Sequence, residues 1–138
     1  SEKPISKAAK NPIIEKETRK IALRNRTAKR IFGSTSVLTP KVIFADGSKT
    51  KTELPRYIGY LLYPQIDYVV IVESYGGYYH LSVGKNPWKK TPARVHIGEM
   101  LNKYGGGGHK TVGGVERKSK SEILKIAGEI IEYLSRRG

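Results

Sequence analysis

The chain has 138 residues, the length of one ordinary domain. Its 26 Lys and Arg against 12 Asp and Glu leave a net charge of +14, a field that attracts polyanions and makes nucleic acid or a phosphorylated ligand the leading partner class. The absence of cysteine excludes disulfides, thiolate nucleophiles and Cys-based zinc sites; the longest wholly apolar run, residues 69–72, is too short to cross a bilayer, and no secretory leader is visible, so the reading is a cytoplasmic protein with no membrane partner.

Residues 1–33 hold ten Lys and Arg against three Glu, a net of +7. From Ile14 onward, Ile14, Ile21, Ala28 and Ile31 recur at helical spacing with basic residues between them. This segment reads as a basic helical connector or as an arm for nucleic acid, and it divides the chain into 1–33 and a domain over 34–138. A short strand is predicted at 41–45, with Asp46-Gly47 as the turn after it. Thr52 then reads as an N-cap with Pro55 in the first helical turn. Leu54, Ile58, Leu61 and Leu62 give this helix a buried side, and Pro64 ends it.

Residues 67–73 form a β-branched run suited to a buried strand. Gly76-Gly77 separates it from 78–83, where Tyr79, Leu81 and Val83 alternate with Tyr78, His80 and Ser82, so the pair reads as a hairpin. His80, alone on the polar face, reads as a surface or satisfied residue. Tyr75, Tyr78 and Tyr79 read as cross-strand pairs ahead of a base-stacking platform. The loop 84–92 carries the only Trp and several Lys; it reads equally as a ligand-facing lip and as a surface loop pinned by its indole. Ile97, Met100, Leu101 and Tyr104 predict a short helix running into a glycine stretch, with Gly105 as its C-cap. A strand over 111–116 follows. The capping box Ser119-x-x-Glu122 then opens an amphipathic helix carrying Ile123, Leu124, Ile126, Ala127, Ile130, Ile131 and Leu134. The order of elements predicts an α/β fold: one compact domain with a mixed β-sheet flanked by helices, preceded by the basic helical segment.

The glycine stretch, residues 104–114, packs six glycines, His109 and Lys110 into eleven residues. Glycines let backbone N–H groups converge on an anion, and imidazole and ammonium groups add donors, so one reading is a phosphate-binding loop and the other a flexible connector. A Walker loop needs glycine before Lys-Thr, where His109 stands, and the dinucleotide pattern G-x-G-x-x-G is missing. With only Asp46 and Asp67, three scattered histidines and no serine in a nucleophile elbow, no hydrolytic or metal centre can be assembled. On its own the chain reads as a binder, with no catalytic residue and no metal ligand.

The run Gly105-Gly106-Gly107-Gly108-His109-Lys110-Thr111-Val112-Gly113-Gly114, after a helix ending in Leu101-Asn102-Lys103-Tyr104, resembles the signature of the C-terminal domain associated with DHH-type phosphoesterases. The upstream hairpin with Ser82-Val83-Gly84-Lys85-Asn86-Pro87-Trp88 looks like the same family, and the resemblance covers about residues 67–134. That domain accompanies a metal-binding Asp-His-His domain in RecJ-like exonucleases, in nanoRNA and phosphoadenosine phosphatases and in cyclic-dinucleotide phosphodiesterases; a relative is appended to alanyl-tRNA synthetases. The resemblance implies that the catalytic metals, Mn2+ or Mg2+, belong to the partner domain, and that the glycine-histidine loop grips the substrate's phosphate or nucleoside end. The implied contacts are the amides of Gly105, Gly106, Gly107 and Gly108, the His109 side chain, and Lys110. Many relatives place an arginine on the preceding strand; here Lys85 is assigned that role, as a point charge without arginine's fork. The Asp-His-His domain is absent from the sequence, which starts at Ser1 without a methionine. The expectation is therefore a fragment of a phosphoesterase, inactive alone, whose partners are nucleotide or nucleic-acid phosphates, the missing catalytic domain and, as a homodimer, a second copy. The alternatives are a stand-alone basic nucleic-acid-binding module and a tRNA-contacting or oligomerisation appendage.

Overall fold

The computed structural model describes residues 11–34, 39–50 and 53–138. Five strands, β1 (Val42–Gly47), β2 (Tyr68–Tyr75), β3 (Tyr78–Lys85), β4 (Gly107–Gly108) and β5 (Val112–Arg117), form one sheet in the order β1-β2-β3-β5-β4. Among the described residues four helices flank it: α1 (Pro12–Ser34), α2 (Arg56–Leu62), α3 (Ile97–Asn102) and α4 (Lys120–Arg137). β1 and β2 are parallel and every other pair is antiparallel, the mixed α/β sheet that the sequence predicted.

β2 is buried on both faces, which is why it is a continuous β-branched run rather than an alternating one. Tyr68, Val70 and Val72 join Leu81, Val83 and Val115 beneath α4 and the Ile97 and Leu101 side of α3. Val69 and Ile71 join Ile43 and Ala45 on the opposite face, beneath Ala28 and Phe32 of α1 and Ile58 and Tyr60 of α2. Nothing from β3, β4 or β5 enters that second cluster. Helices therefore cover one face of the sheet broadly, and the other chiefly over β1 and β2.

α4 follows its sequence pattern, starting at Ser119, whose Oγ accepts the Glu122 N–H at 3.3 Å. The β2–β3 hairpin closes through Gly76 and Gly77 at φ +34° and +102°, the left-handed pair that a two-residue hairpin of this twist needs. Tyr75 and Tyr78 pair across it, ring centroids 6.0 Å apart.

The structure refines what was expected of β1, α2 and α1. β1 extends through residues 46 and 47, because parallel pairing sets Asp46 against Val72 and Gly47 against Glu73, and the turn they signal starts from them: Asp46 Oδ1 accepts the Ser48 N–H at 3.0 Å and the Gly47 carbonyl the Thr50 N–H at 3.1 Å. α2 begins at Arg56 with Pro55 at the N-cap, whereas Thr52 lies outside the described residues. Its Leu61 and Leu62 stand 57% and 41% exposed, since a two-turn helix presents one narrow side to Val69 and Phe32, and Ile58 and Gly59 occupy it. In α1, Ile14 and Ile21 are exposed and only Ala28 and Phe32 are buried, so the helical spacing marks packing only near its end. The boundary expected at 33/34 thus falls at the end of a helix whose last turns belong to the core.

The loop after β3 is fixed by Asn86, which is buried. Its Nδ2 donates to the carbonyls of Ile66 at 2.9 Å and Pro64 at 3.3 Å, and its Oδ1 accepts the Trp88 N–H at 2.9 Å. Asn86→Ala strands these partners, and each buried unsatisfied polar group costs about 1–3 kcal/mol. Urea unfolding is expected to register a loss of at least about 2 kcal/mol, with the 87–92 loop losing amide-exchange protection first.

Candidate phosphate-binding tip and its flanks

α3 is capped at its start by His96, whose Nδ1 accepts the Glu99 N–H at 3.1 Å. It ends in a Schellman turn: Gly106 N–H donates to the Leu101 carbonyl at 3.1 Å, Gly105 N–H to the Asn102 carbonyl at 3.0 Å, and Gly105 takes φ +77°. Gly105 is the C-cap that its position suggested. The amides of Gly105 and Gly106, expected to face a phosphate, are thereby bonded within the chain.

The remaining glycines permit close approach of backbone to backbone. Gly107 and Gly108 form β4 against Gly114 and Gly113 of β5. A Cβ on Gly106 would fall 2.4 Å from the Gly114 carbonyl oxygen, one on Gly113 2.6 Å from that of Gly107, and one on Gly98 2.4 Å from that of Gly108. The β4–β5 hairpin lies directly against the first turn of α3, where Gly98 N–H donates to the His109 carbonyl at 2.8 Å and Ile97 N–H to the Lys110 carbonyl at 2.9 Å. With its amide oriented to satisfy both groups, the Asn102 side chain donates to the Gly98 and Gly106 carbonyls at 3.2 Å. Arg117 Nη2 donates to the Tyr104 carbonyl at 2.6 Å. The glycine run is a bonded element, not a slack connector.

The hairpin closes where His109 N–H donates to the Val112 carbonyl at 2.7 Å, leaving His109, Lys110 and Thr111 exposed at its tip. Lys85, at the end of β3, donates its N–H to the Thr111 carbonyl at 2.9 Å. Lys85, Lys110 and Thr111 then line one cleft of about 340 Å³ together with Asn86, Lys89 and Thr91. Lys85 Nζ donates to the Thr91 carbonyl at 2.7 Å, and Lys89 Nζ meets Asp67 Oδ1 at 2.9 Å and the Gln65 carbonyl at 3.0 Å. Lys110 makes no ion pair among the described residues. Three ammonium groups with one nearby carboxylate favour an anionic occupant.

Of the residues the sequence singled out, the fold brings Lys85 and Lys110 to one cleft and sets His109 beside them on the tip, while Gly105 and Gly106 sit at the hairpin's base. Lys89 and Thr91 were legible only as members of a basic loop. Trp88 stands 57% exposed, its ring edge-to-face with Tyr60 at a centroid distance of 6.1 Å, so Asn86 rather than the indole pins the loop.

On the opposite face of the sheet, His80 lies over Gly114, with Nδ1 3.6 Å from Glu116 Oε1 and its ring 5.9 Å from Tyr75. These contacts leave His80 half-exposed on the sheet surface. Arg56 of α2 reaches across Gly84: a Cβ there would stand 2.7 Å from its Cδ and Nε and 3.0 Å from the Tyr60 hydroxyl. Burial holds the Tyr60 hydroxyl above the usual phenol range, opposed by the charge of Arg56.

No protein-family model and no curated protein matches the chain. Solved structures share its fold. The pGpG-specific phosphodiesterase PggH from a Vibrio species aligns with a TM-score of 0.79 at 20% identity, over 97% of this chain and 46% of its own. An exopolyphosphatase-related protein from Bacteroides fragilis aligns at 0.60 and 13% identity, over 82% of this chain and 35% of its own. The C-Ala domain of Aquifex aeolicus alanyl-tRNA synthetase aligns at 0.53 and 16% identity, over 74% of this chain and 98% of that domain. At such identities the likeness establishes the fold. The chain spans less than half of PggH and about a third of the Bacteroides protein.

Among the described residues no three His, Asp or Glu side chains cluster as metal ligands, and no helix is long and apolar enough to cross a membrane. The described residues offer no ligand set for the manganese or magnesium ion implied for a partner domain.

The contact between hairpin and helix is testable. Gly98→Ala forces a methyl into backbone and is expected to cost about 1–3 kcal/mol. Gly128→Ala in α4, where a Cβ meets nothing within 4 Å, is expected to stabilise by about 0.5–1 kcal/mol. Chemical denaturation of the two variants reads both signs.

Proposed function

We propose that the chain is the substrate-binding, DHH-associated C-terminal domain of a phosphoesterase that hydrolyses phosphoester bonds in short nucleic acids or nucleotides, with the catalytic Asp-His-His domain lying outside this sequence. The observation that carries this reading is the convergence of Lys85 and Lys110 on one cleft at the hairpin tip, where His109, next to Lys110 in the chain, is exposed. The alignments with PggH and with the exopolyphosphatase-related protein support it, each leaving more than half of the longer protein outside the matched region.

In this reading Lys85 and Lys110 hold the phosphate as point charges, and His109 and Thr111 supply donors at the tip. The amides of Gly107 and Gly108 remain part of the proposed grip, whereas those of Gly105 and Gly106 shape it from beneath. Manganese or magnesium held by the partner domain would supply the Lewis acid and the activated water there. This chain contributes binding and orientation. His109→Ala is expected to weaken binding of a nucleoside monophosphate about ten- to a hundredfold, the worth of a hydrogen bond to a charged group, with an unchanged thermal midpoint. Isothermal titration measures it, and unchanged affinity would make the histidine structural.

A second reading, a basic module that binds nucleic acid without a catalytic partner, is favoured by α1. Lys16, Arg19, Lys20, Arg26, Lys29 and Arg30 are all exposed along that helix, and the C-Ala alignment spans nearly the whole of a domain appended to a tRNA synthetase. In a titration of single-stranded RNA at rising salt this reading expects log K to fall in proportion to the phosphates neutralised, with a slope of about −0.7 per phosphate. A flat plot would sink it.

A further inference from the structure

The run Gly105-Gly106-Gly107-Gly108 brings no side chain to the surface it forms, so whatever side chain steadies it must come from elsewhere. Three successive peptide units lead from α3 into β4, and each is tied. In the first, Gly105 N–H donates within the Schellman turn, and the Tyr104 carbonyl accepts Arg117 Nη2 at 2.6 Å. In the second, Gly106 N–H donates to the Leu101 carbonyl at 3.1 Å. In the third, the Gly106 carbonyl accepts the Asn102 side chain at 3.2 Å, and the same amide reaches the Gly98 carbonyl at 3.2 Å. A Cβ on Gly107 would stand 3.8 Å from that amide. Two polar side chains from outside the run thus hold the carbonyls on either side of Gly105, the residue at φ +77°.

Both side chains are themselves anchored. Asn102 closes α3. Arg117 closes β5, where its Nη1 donates to the Glu116 carbonyl at 2.8 Å and its Nε stands 3.7 Å from Glu122 Oε2, in the first turn of α4. Among the described residues neither side chain bonds to His109, Lys110 or Thr111. The hairpin is therefore fastened at two places: near its tip by the main-chain bonds from Ile97 and Gly98, and at its base by Asn102 and Arg117. Without the second fastening, a glycine at a positive φ followed by three more glycines is a hinge.

Resting on the reading above, we propose that Asn102 and Arg117 are positioning residues of the phosphate grip. They touch no ligand; they hold the turn at Gly105 so that the hairpin presents His109 and Lys110 in one orientation before a ligand arrives. The conformational freedom of the run is then lost on folding instead of on binding, which is how preorganisation raises affinity.

The test uses AMP as the probe in isothermal titration, with amide exchange read in parallel. Asn102→Ala removes one fastening, and Arg117→Met removes the other while keeping an unbranched stem. Each is expected to weaken AMP binding about five- to thirtyfold, the scale of ordering one backbone residue, and to speed exchange of the amides of residues 106–109 while leaving β2 protected. A rescue separates positioning from contact. A Cβ at Gly105 meets nothing within 4 Å, and Asn accepts positive φ better than most side chains, so Gly105→Asn stiffens the turn without restoring the lost bonds. Added to Asn102→Ala, it is expected to recover most of the affinity. A merely structural role lowers the thermal midpoint and leaves the affinity alone, and that outcome overturns the proposal. Weaker binding with unchanged exchange, or a loss that Gly105→Asn leaves untouched, means that the side chains meet the ligand directly and also overturns it. In either case the phosphate grip stands. An unsubstituted chain that binds no AMP overturns the grip and the positioning role together.

Discussion

Two backbones in contact govern this surface. The first turn of α3 and the β4–β5 hairpin lie so close that no side chain fits between them at Gly98, and within the hairpin none fits at Gly106 or Gly113. Hydrogen bonds from Ile97 and Gly98 tie the helix to the carbonyls of Lys110 and His109. Because α3 is itself seated by Ile97 and Leu101 in the larger hydrophobic cluster, the tip inherits the rigidity of the core chiefly through main-chain contacts, with the Asn102 side chain bridging the Gly98 and Gly106 carbonyls. Loops fixed in this way spend little additional entropy when a ligand orders them.

The sheet divides the labour. β2 is enclosed on both faces and anchors the two clusters, whereas β3 and β5 contribute to only one of them. Their other face carries the small residues Ser82, Gly84 and Gly114 opposite hydrophobic Leu81, Val83 and Val115. A sheet with one solvated face ordinarily shows alternating apolar and polar residues. Here part of the polar half is replaced by glycine, which opens room for side chains arriving from elsewhere, Arg56 from α2 and His80 from the neighbouring strand.

Much of this was legible in the sequence and some was not, for identifiable reasons. α4, the β2–β3 hairpin and the Gly105 cap were readable because their signals are local: a capping box, two turn glycines, a helix followed by glycine. The extent of β1 and the start of α2 were misjudged because they depend on pairing with β2 and on the bond between Leu54 and Glu73, contacts distant in sequence. The residues of the tip were singled out as a group, and of these Lys85 and Lys110 share a cleft. The internal use of the Gly105 and Gly106 amides was not foreseen, since composition reveals that a glycine run can offer N–H groups but not which carbonyls already claim them. Arg56 carried no signal at all: an arginine after a proline at the start of a short helix is unremarkable until the sheet places Gly84 beneath it.

The hairpin tip has one consequence for how such a surface changes over time. The glycines at its base tolerate almost no replacement, whereas Lys110 and Thr111 are exposed and their side chains support no part of the core. A mutation at those positions alters what the surface attracts without altering the shape that presents it. Selection for a new ligand can therefore act on the tip without first solving a folding problem, with backbone geometry held constant as side-chain chemistry drifts.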